Sequence, residues 1–546
     1  MMLLPQATAA LLIAATSIIC LCSLPRKRSR RGRTLLALWK RSLSKEPGVI
    51  SWGGVPLPTG AENSHFLVVG TTGSGKSLTL GMLMREALDG ASFGDDKRAL
   101  IYDAKTEVAS LLASLSLAIP VVYLNPFDRR SSQWDMSADI TSPASALQVS
   151  SILIPEEQGS SNRYFTDTAR DILREVMMSF VYVGCEWTLR DIILGMRSRD
   201  RLIEVLERTP EGTDLLGLHA GDSRAFQSVL STARSRLAPL EPVAALWHRA
   251  KNKVSLHDWV RGEIVLVLGN DESARTAMDA LNQVIFQRAT ELALKQPDSS
   301  SRRTWFFLDE VREAGKLSGL SSLMNKGRSR GCCVALGFQD IHGLKDVYGN
   351  EVALEIVGQC SQKALLRMES EATAKWASAT IGQYEHVDVL RARSGWQLSV
   401  SEQWRTADLV MPSELLGIAP TSMSSGLTGY YLTPHVGAFR RTLSLLHLLG
   451  KPPSQSNTAP PVEPHFVERP ENEQYLEAWS AEDCDRLGLA RDPTPSEGDV
   501  AAHRLGTSKA PESRDGATSF DQDDSRRAYG QRIGQGTQIS RLEPKE

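Results

Sequence analysis

An eight-residue segment near the start of the chain limits the possible folds more than any other feature. It reads Gly70-Thr71-Thr72-Gly73-Ser74-Gly75-Lys76-Ser77 and fits the pattern G-x-x-x-x-G-K-[ST]. An apolar run, Phe66–Val69, precedes it, and from Leu78 onward the apolar residues share one helical face. A strand, a glycine-rich turn and a helix in this order predict a phosphate-binding loop, because glycines let backbone N–H groups approach phosphate oxygens without Cβ clashes.

Each residue of this loop has a predicted task. Lys76 would contact the β- and γ-phosphates of a nucleotide, and Ser77 would ligate Mg²⁺. The N-terminus of the following helix would add partial positive charge. The remaining residues, whose backbone would surround the phosphates, are Gly70, Thr71, Thr72, Gly73, Ser74 and Gly75. The loop therefore predicts a P-loop nucleoside triphosphatase that uses Mg²⁺.

A second acidic motif follows a later apolar run. Trp305–Leu308 is a short run of large apolar residues, and Asp309 and Glu310 come directly after it. Ligands of open α/β sheets bind at the carboxyl ends of the strands, which is where this acidic pair would lie. Asp309 would hold Mg²⁺, directly or through water, and Glu310 would polarise the attacking water as a general base.

The nucleotide is expected to be ATP rather than GTP. GTPases recognise guanine with an N-K-x-D motif. The two Asn-Lys pairs of this chain continue as Gly327-Arg328 and Val254-Ser255, so both lack the aspartate.

Short apolar runs recur along the chain and define the fold class. Strands that are buried on both faces of a parallel sheet look like this, and helical patterns separate the runs, so we expect an α/β fold with a mostly parallel sheet. The predicted strands are Phe66–Val69, Leu100–Tyr102, Val121–Leu124, Ile264–Leu268, Trp305–Leu308, Val334–Phe338 and Ala364–Met368.

The spacing of these runs and the composition predict five regions. About 140 residues separate Leu124 from Ile264, too many for one crossover, and most of them have helical periodicity, as in Thr166–Val183 and Ser223–Leu237. We therefore expect an all-α domain at 142–245, inserted between two parts of a nucleotide-binding domain at 34–141 and 246–450. From 451 to 546 Pro, Ser, Glu, Asp and Arg dominate, which predicts a disordered tail with at most a short helix near Glu471–Trp479.

The first 33 residues predict a membrane anchor. Residues 1–25 carry no charged side chain, and a helix over 3–24 would span about 33 Å, enough for a bilayer core. Six basic residues follow between Arg26 and Arg33, after the apolar stretch rather than before it. The positive-inside rule then predicts a single-pass protein of the bacterial inner membrane with the bulk of the chain in the cytoplasm.

Charge and cysteine content exclude other classes. The net charge of −2 argues against a chain that is basic overall, although local basic surfaces remain compatible with it. The seven cysteines form no C-x-x-C pair, which argues against a zinc site and favours reduced thiols in the cytoplasm.

The motifs together resemble a conjugative type IV secretion coupling protein of the TraD/TraG/TrwB type, over about residues 48–450. The segment Tyr102–Glu107 resembles the family's D-P-K-G-E segment, with Ala104 and Thr106 in place of Pro and Gly. One departure is that many members have two membrane spans, whereas one is visible here. The other matching segments are Asn125–Asp128 followed by Ser132 and Trp134-Asp135, then Lys326–Gly331, and Gly337–Asp340.

The resemblance implies a RecA-like hexameric ATPase at the inner membrane. It would recruit a relaxase–DNA complex, hand it to the secretion channel, and translocate single-stranded DNA, with contacts to double-stranded DNA also open. Arg328 matches the family's arginine finger, which reaches the γ-phosphate of a neighbouring subunit, and Gln339 matches its sensor.

Two other functions stay open. One is a receptor that docks protein effectors to the secretion channel and uses nucleotide as an assembly switch. The other is a DNA translocase of the FtsK/SpoIIIE type, but the polar tail does not suit the winged DNA-binding domain of that class.

Overall fold

The computed structural model describes residues 31–36, 49–58, 60–156, 163–219, 223–394, 397–448 and 464–491. The described residues up to Ala490 belong to one compact unit, and the second unit, Arg491–Glu546, is described only at Arg491. The predicted membrane helix lies outside the described residues. Among the helices that are described, none has the length and apolar character needed to cross a membrane.

The strands form one large sheet and three small ones. In chain order they are β1 (Arg31–Gly32), β2 (Leu35–Leu36), β3 (Ser51–Trp52), β4 (Val55–Pro56), β5 (Phe66–Val69), β6 (Lys97–Asp103), β7 (Val121–Tyr123), β8 (Gln133–Trp134), β9 (Lys253–Val254), β10 (Val265–Gly269), β11 (Arg303–Leu308), β12 (Cys332–Phe338), β13 (Gln362–Leu365), β14 (Gln383–Ser394), β15 (Gln397–Asp408), β16 (Leu427–Thr433) and β17 (Gly437–Leu443).

The large sheet has ten strands in the order β2-β17-β16-β13-β5-β12-β11-β6-β10-β7. The strands from β13 to β7 in this order are all parallel, while β16 and β17 are antiparallel to their neighbours β13 and β16. Every predicted apolar run falls in this parallel part, which confirms the α/β class and the mostly parallel sheet. The order places β12 between β5 and β11, so the two motif strands are separated by one strand.

The helices occupy the connections between strands. In chain order they are α1 (Lys76–Leu88), α2 (Val108–Ala113), α3 (Met136–Asp139), α4 (Pro143–Leu153), α5 (Arg163–Val183), α6 (Leu189–Gly195), α7 (Arg199–Leu206), α8 (Pro210–His219), α9 (Ser223–Leu237), α10 (Glu241–His248), α11 (Leu256–Arg261), α12 (Arg275–Leu294), α13 (Leu320–Lys326), α14 (Ile341–Tyr348), α15 (Asn350–Gln359), α16 (Glu371–Ile381), α17 (Pro412–Leu416), α18 (Leu445–Leu448) and α19 (Ala481–Leu487). Short 3₁₀ turns occur at Ala238–Leu240, Glu272–Ala274, Arg328–Arg330 and Glu471–Gln474.

The two faces of the sheet have separate cores. Side chains alternate along a strand, so Phe66 and Val68 of β5 face one side while Leu67 and Val69 face the other. Helices α1 and α2 cover the first side. Buried residues of α4 to α10 and of α12 cover the second, in one continuous core with the sheet. The helices of residues 136–248 therefore share a core with the sheet instead of enclosing a separate one.

Local sequence explains why these helices begin where they do. The predicted helix over residues 166–183 is part of α5, and α9 has the predicted bounds. Thr188 caps α6: its side chain accepts a hydrogen bond from the Asp191 N–H, and the Asp191 carboxylate accepts one from the Thr188 N–H at 2.9 Å.

The structure differs from the sequence-based expectation over 464–491, within the region predicted as a disordered tail. This segment, called the strap below, forms a 3₁₀ turn and α19, and it buries Cys484, Leu487 and Leu489. Composition missed it because its partners lie far away in the sequence. Arg190, for example, donates to the carbonyl oxygens of Glu477 at 3.1 Å and of Ala478 at 2.6 Å. Residues 449–463 and 492–546 lie outside the described part.

A long hairpin was also not expected. Strands β14 and β15 pair along their whole lengths, and β1 joins β14 through Arg31 opposite Glu385 and Gly32 opposite Tyr384. The last residues of the predicted anchor region, 1–33, therefore include a short strand at the base of this hairpin.

Candidate functional site

The phosphate-binding loop lies at the carboxyl edge of the parallel strands, between the end of β5 and the start of α1. Gly73 and Gly75 have φ of 73° and 91°, backbone angles that residues other than glycine rarely adopt. A Cβ at Gly75 would also come within 2.3 Å of Leu427 Cδ1. Glycine is therefore required at Gly75 for two independent reasons, backbone conformation and space.

Ser77 and Asp309, the two predicted Mg²⁺ ligands, are in contact. The Ser77 hydroxyl donates to Asp309 Oδ2 at 2.7 Å, because α1 starts beside the end of β11. The second carboxylate oxygen of Asp309, Oδ1, is buried and has no hydrogen-bond partner among the described residues. A hydroxyl beside a carboxylate with an unused buried oxygen fits Mg²⁺, which prefers oxygen ligands.

Lys76, Glu310 and Gln339 form the second group of the site. Lys76 Nζ pairs with Glu310 Oε2, and both side chains are buried. Gln339, which follows β12, donates from Nε2 to the same oxygen at 3.0 Å. Strand β12 lies between β5 and β11, so Gln339, directly after β12, lies between the phosphate-binding loop and the Asp309–Glu310 pair. Lys76 and Gln339, the predicted sensor, thus both contact the carboxylate of Glu310, the predicted general base.

Arg328 lies away from this cluster. It is in the 3₁₀ turn Arg328–Arg330, before β12, whereas Gln339 follows β12. The length of β12, roughly 20 Å at about 3.3 Å per residue, separates the two. The Arg328 side chain is exposed and forms no hydrogen bond or ion pair within the described ranges, while its carbonyl accepts from Asn63 Nδ2 at 3.1 Å. Arg328 is therefore not part of the site in its own chain.

The Tyr102–Glu107 segment borders the site. Asp103 accepts hydrogen bonds from the N–H groups of Glu107 at 3.0 Å and Val108 at 2.9 Å, and burial raises the pKa of its carboxyl. Asp103, Ser77 and Asp309 line one open cavity of about 430 Å³. Thr106, at the family's glycine position, has φ of 56°, a left-handed conformation that is uncommon for a β-branched residue.

The Asn125–Asp128 segment supports the fold rather than the site. Asn125 is buried, and its Nδ2 donates to the Asn270 carbonyl at 3.4 Å. Asp128 forms an ion pair with Arg130, and Arg130 in turn donates to the carbonyl of His465 in the strap at 3.1 Å.

Sequence reasoning missed three residues that contact the phosphate-binding loop. The Arg367 carbonyl accepts from the Thr71 N–H at 3.0 Å, and Glu369 accepts from the Thr71 hydroxyl at 3.2 Å. Thr421 contacts Gly73 and Ser74. Arg367 and Glu369 follow β13, the neighbour of β5, so their position at the strand end was the one available clue; Thr421 has no motif around it.

Comparisons with known proteins identify a family and a fold. The family described as type IV secretion-system coupling protein DNA-binding domain matches residues 49–434, well over half of the chain. Curated protein sequences include no match.

Solved structures of the bacterial conjugative coupling protein TrwB have the same fold. The unbound form is 23% identical, with a TM-score of 0.60 over 78% of this chain and 92% of that one. The complex with ADP and Mg²⁺ is also 23% identical, with a TM-score of 0.61 over 81% and 98%. The complex with the ATP analogue ADPNP has 23% identity and a TM-score of 0.60 over 81% and 97%. From the family match, this chain belongs to the type IV secretion-system coupling proteins.

Proposed function

We propose that the chain binds ATP with Mg²⁺ at the site around Lys76 and hydrolyses it. The observation that carries this proposal is the contact between Ser77 and Asp309, which leaves Asp309 Oδ1 buried and available. TrwB, which has the same fold, is known in complexes with ADP and Mg²⁺ and with an ATP analogue. This supports the same ligands here.

Each residue of the site then has a defined role. Ser77 and Asp309 hold Mg²⁺, which when bound neutralises charge on the phosphates. The buried Lys76 leaves Glu310 and binds the β- and γ-phosphates. Glu310, released from Lys76, accepts a proton from the attacking water, and Gln339 orients the Glu310 carboxylate through its hydrogen bond.

We propose further that the chain works as a homohexamer in which Arg328 acts on the neighbouring subunit. Arg328 is exposed and distant from its own site, as a trans-acting arginine requires. The hexamer would receive a relaxase–DNA complex at the inner membrane and move single-stranded DNA into the secretion channel. The family match to a DNA-binding domain supports a nucleic-acid substrate.

The regions of the chain divide these tasks. In this proposal residues 1–33 anchor the protein in the membrane, 34–141 and 246–450 carry the nucleotide site, and 142–245 meet the relaxosome. Residues 492–546 would serve as a docking arm for accessory or effector proteins.

ATP hydrolysis with and without single-stranded DNA tests the proposal. We expect DNA to stimulate hydrolysis. Lys76→Ala, which removes a charge that stabilises the transition state, should lower the rate of hydrolysis by about 100-fold. Arg328→Ala should lower it by about 1,000-fold. Lys326→Ala is the matched control, because Lys326 is an exposed cation of the same segment outside the proposed chemistry.

The outcomes separate the alternatives. Absence of hydrolysis under all conditions would remove the enzyme proposal. Hydrolysis that is indifferent to DNA, together with binding of a secreted protein, would favour the receptor for protein effectors.

A further inference from the structure

Thr421, from a distant segment, binds two carbonyl groups of the phosphate-binding loop. The Thr421 N–H donates to the Gly73 carbonyl at 3.0 Å, and the Thr421 hydroxyl donates to the Ser74 carbonyl at 2.8 Å. Thr421 lies 344 positions or more from every residue of the loop, so no local chain constraint produces this contact. We propose that Thr421 is a positioning residue that orients the phosphate-binding loop toward the nucleotide phosphates.

The geometry of the peptide bond explains how Thr421 acts. In a trans peptide the C=O of one residue and the N–H of the next point in opposite directions. The Ser74 carbonyl points toward Thr421, so the N–H of Gly75 points away from Thr421, to the opposite side of the loop. That side is where phosphate oxygens bind in loops of this kind. The inference rests on the proposed function, because it assumes that phosphates occupy this side.

Thr421 is itself held in place before any ligand binds. It begins a tight turn, in which the Gly426 N–H donates to the Ser422 carbonyl at 2.8 Å and the Ser425 hydroxyl donates to the Pro420 carbonyl at 2.5 Å. The turn leads into β16, which is buried along its whole length and paired with β13. The turn therefore fixes the N–H and the hydroxyl of Thr421, which hold the carbonyls of Gly73 and Ser74.

Packing reinforces the contact. A Cβ at Gly75 would lie 2.9 Å from Thr421 Oγ1 and 2.3 Å from Leu427 Cδ1. The loop and the turn therefore touch without space between them, and a movement of one requires a movement of the other.

Isothermal titration of the full-length chain with ADP and Mg²⁺ tests the role. Thr421→Val keeps the shape of the side chain and removes the hydroxyl donor, so we expect the Kd to rise about fivefold, the value of one hydrogen bond. Thr421→Ser keeps the donor, so its Kd should stay within about twofold of the wild type. Pyrophosphate, which has no base or ribose, should show the same fivefold loss with Thr421→Val if the effect arises at the phosphates.

The results separate the two levels of the proposal. If the wild type does not bind ADP or pyrophosphate, the proposed function fails. If the wild type binds and Thr421→Val binds equally well, the nucleotide site stands and the positioning role is wrong. A loss of affinity in Thr421→Ser as large as in Thr421→Val would also overturn the role, because it would assign the effect to the methyl group. The nucleotide-free variants should melt within about 4 °C of the wild type, which excludes a general loss of structure.

Discussion

The ion pair between Lys76 and Glu310 joins two groups to which the proposed function assigns separate roles. Both side chains are buried, and Gln339 adds a hydrogen bond to the same carboxylate oxygen. In the proposed function a phosphate would compete with Glu310 for the ammonium group of Lys76. Nucleotide binding and release of the proposed base would then be coupled through this one contact.

Glu310→Gln tests this coupling. The amide keeps the shape but cannot accept a proton from water, so single-turnover hydrolysis should fall by about 100-fold or more. ADP affinity should be equal or tighter, because the competing negative charge is gone. Glu313→Gln is the control, since the Glu313 carboxylate pairs with Arg275 instead. Weaker ADP binding in Glu310→Gln would contradict the competition.

Thr106 carries backbone strain beside the site. A β-branched residue in the left-handed region costs about 1–2 kcal/mol, whereas glycine adopts it freely. Glycine also has a more flexible unfolded chain, which offsets part of the gain. We expect Thr106→Gly to raise the free energy of unfolding by about 0.5 kcal/mol, measured by urea denaturation. Thr232→Gly, within helix α9, should instead lower it by about 0.3 kcal/mol, the difference between the helix propensities of threonine and glycine. Destabilisation by Thr106→Gly would show that its side chain, not its backbone, decides this position.

At the scale of elements, the strap is attached to the helical region through buried charges. Asp191 is fully buried, and it accepts from Trp479 Nε1 at 2.8 Å and pairs with Arg486 at 3.1 Å. Arg208 adds hydrogen bonds of 2.6 Å to the carbonyls of Leu487 and Gly488. Removing one partner of a buried charge leaves the other unsatisfied, so these contacts lock the strap in place.

Trp479→Ala should release the strap. It removes a partner of Asp191 and a large, half-buried ring, so we expect the free energy of local opening of α19 to fall by about 2 kcal/mol in native-state hydrogen exchange. Tyr475→Ala is the control: Tyr475 is an aromatic residue of the same strap, 76% exposed, and its loss should change opening by less than about 0.5 kcal/mol. Equal effects of the two variants would mean that the ion pairs and carbonyl contacts suffice without the indole.

His65 connects the segment that carries Arg328 to the sheet. Its Nε2 donates to the Met324 carbonyl at 2.9 Å, and its Nδ1 accepts from the Val334 N–H at 3.1 Å, so the folded protein requires the neutral ring. Burial, together with the positive charge of Arg328, lowers the pKa of His65.

This lowered pKa predicts a pH dependence of stability. Below about pH 6.5 the unfolded chain takes up a proton at His65 that the folded chain does not. The free energy of unfolding therefore falls as the pH is lowered, by up to about 1.4 kcal/mol per pH unit. The loss continues until the pH reaches the lowered folded pKa. Denaturation between pH 7 and 5 should show a smaller loss in His65→Gln than in the wild type. The exposed His435→Gln should leave the slope unchanged.

At the scale of the whole molecule, Lys76 and Arg328 lie on opposite edges of one sheet, so in the proposed hexamer each complete site would need two subunits. Mixing Lys76→Ala and Arg328→Ala chains tests this. In a ring of one variant alone, no interface has both wild-type residues. In a random mixed ring, about a quarter of the interfaces combine Lys76 of one subunit with Arg328 of its neighbour. We expect hydrolysis to reappear on mixing, measured as phosphate release. A mixture as inactive as its components would place Arg328 outside the site.

The sequence by itself determined the parallel part of the sheet and the site at its edge. Phe66–Val69 and Trp305–Leu308 are continuous apolar runs, because a strand covered by helices on both faces has few positions for a polar residue. The phosphate-binding loop and the Asp309–Glu310 pair follow their strands directly, so local order alone puts both at the carboxyl edge.

Only the tertiary structure decided which distant residues complete the candidate site and how residues 464–491 are ordered. Strand β16 is buried throughout but contains threonine and glycine, so it lacks an apolar run, and Thr421 before it carries no local motif. The strap has a polar composition and is ordered by arginines nearly 300 positions earlier. Contacts of this kind join side chains to main-chain groups that only folding brings together, so neither the periodicity nor the composition of either segment predicts them.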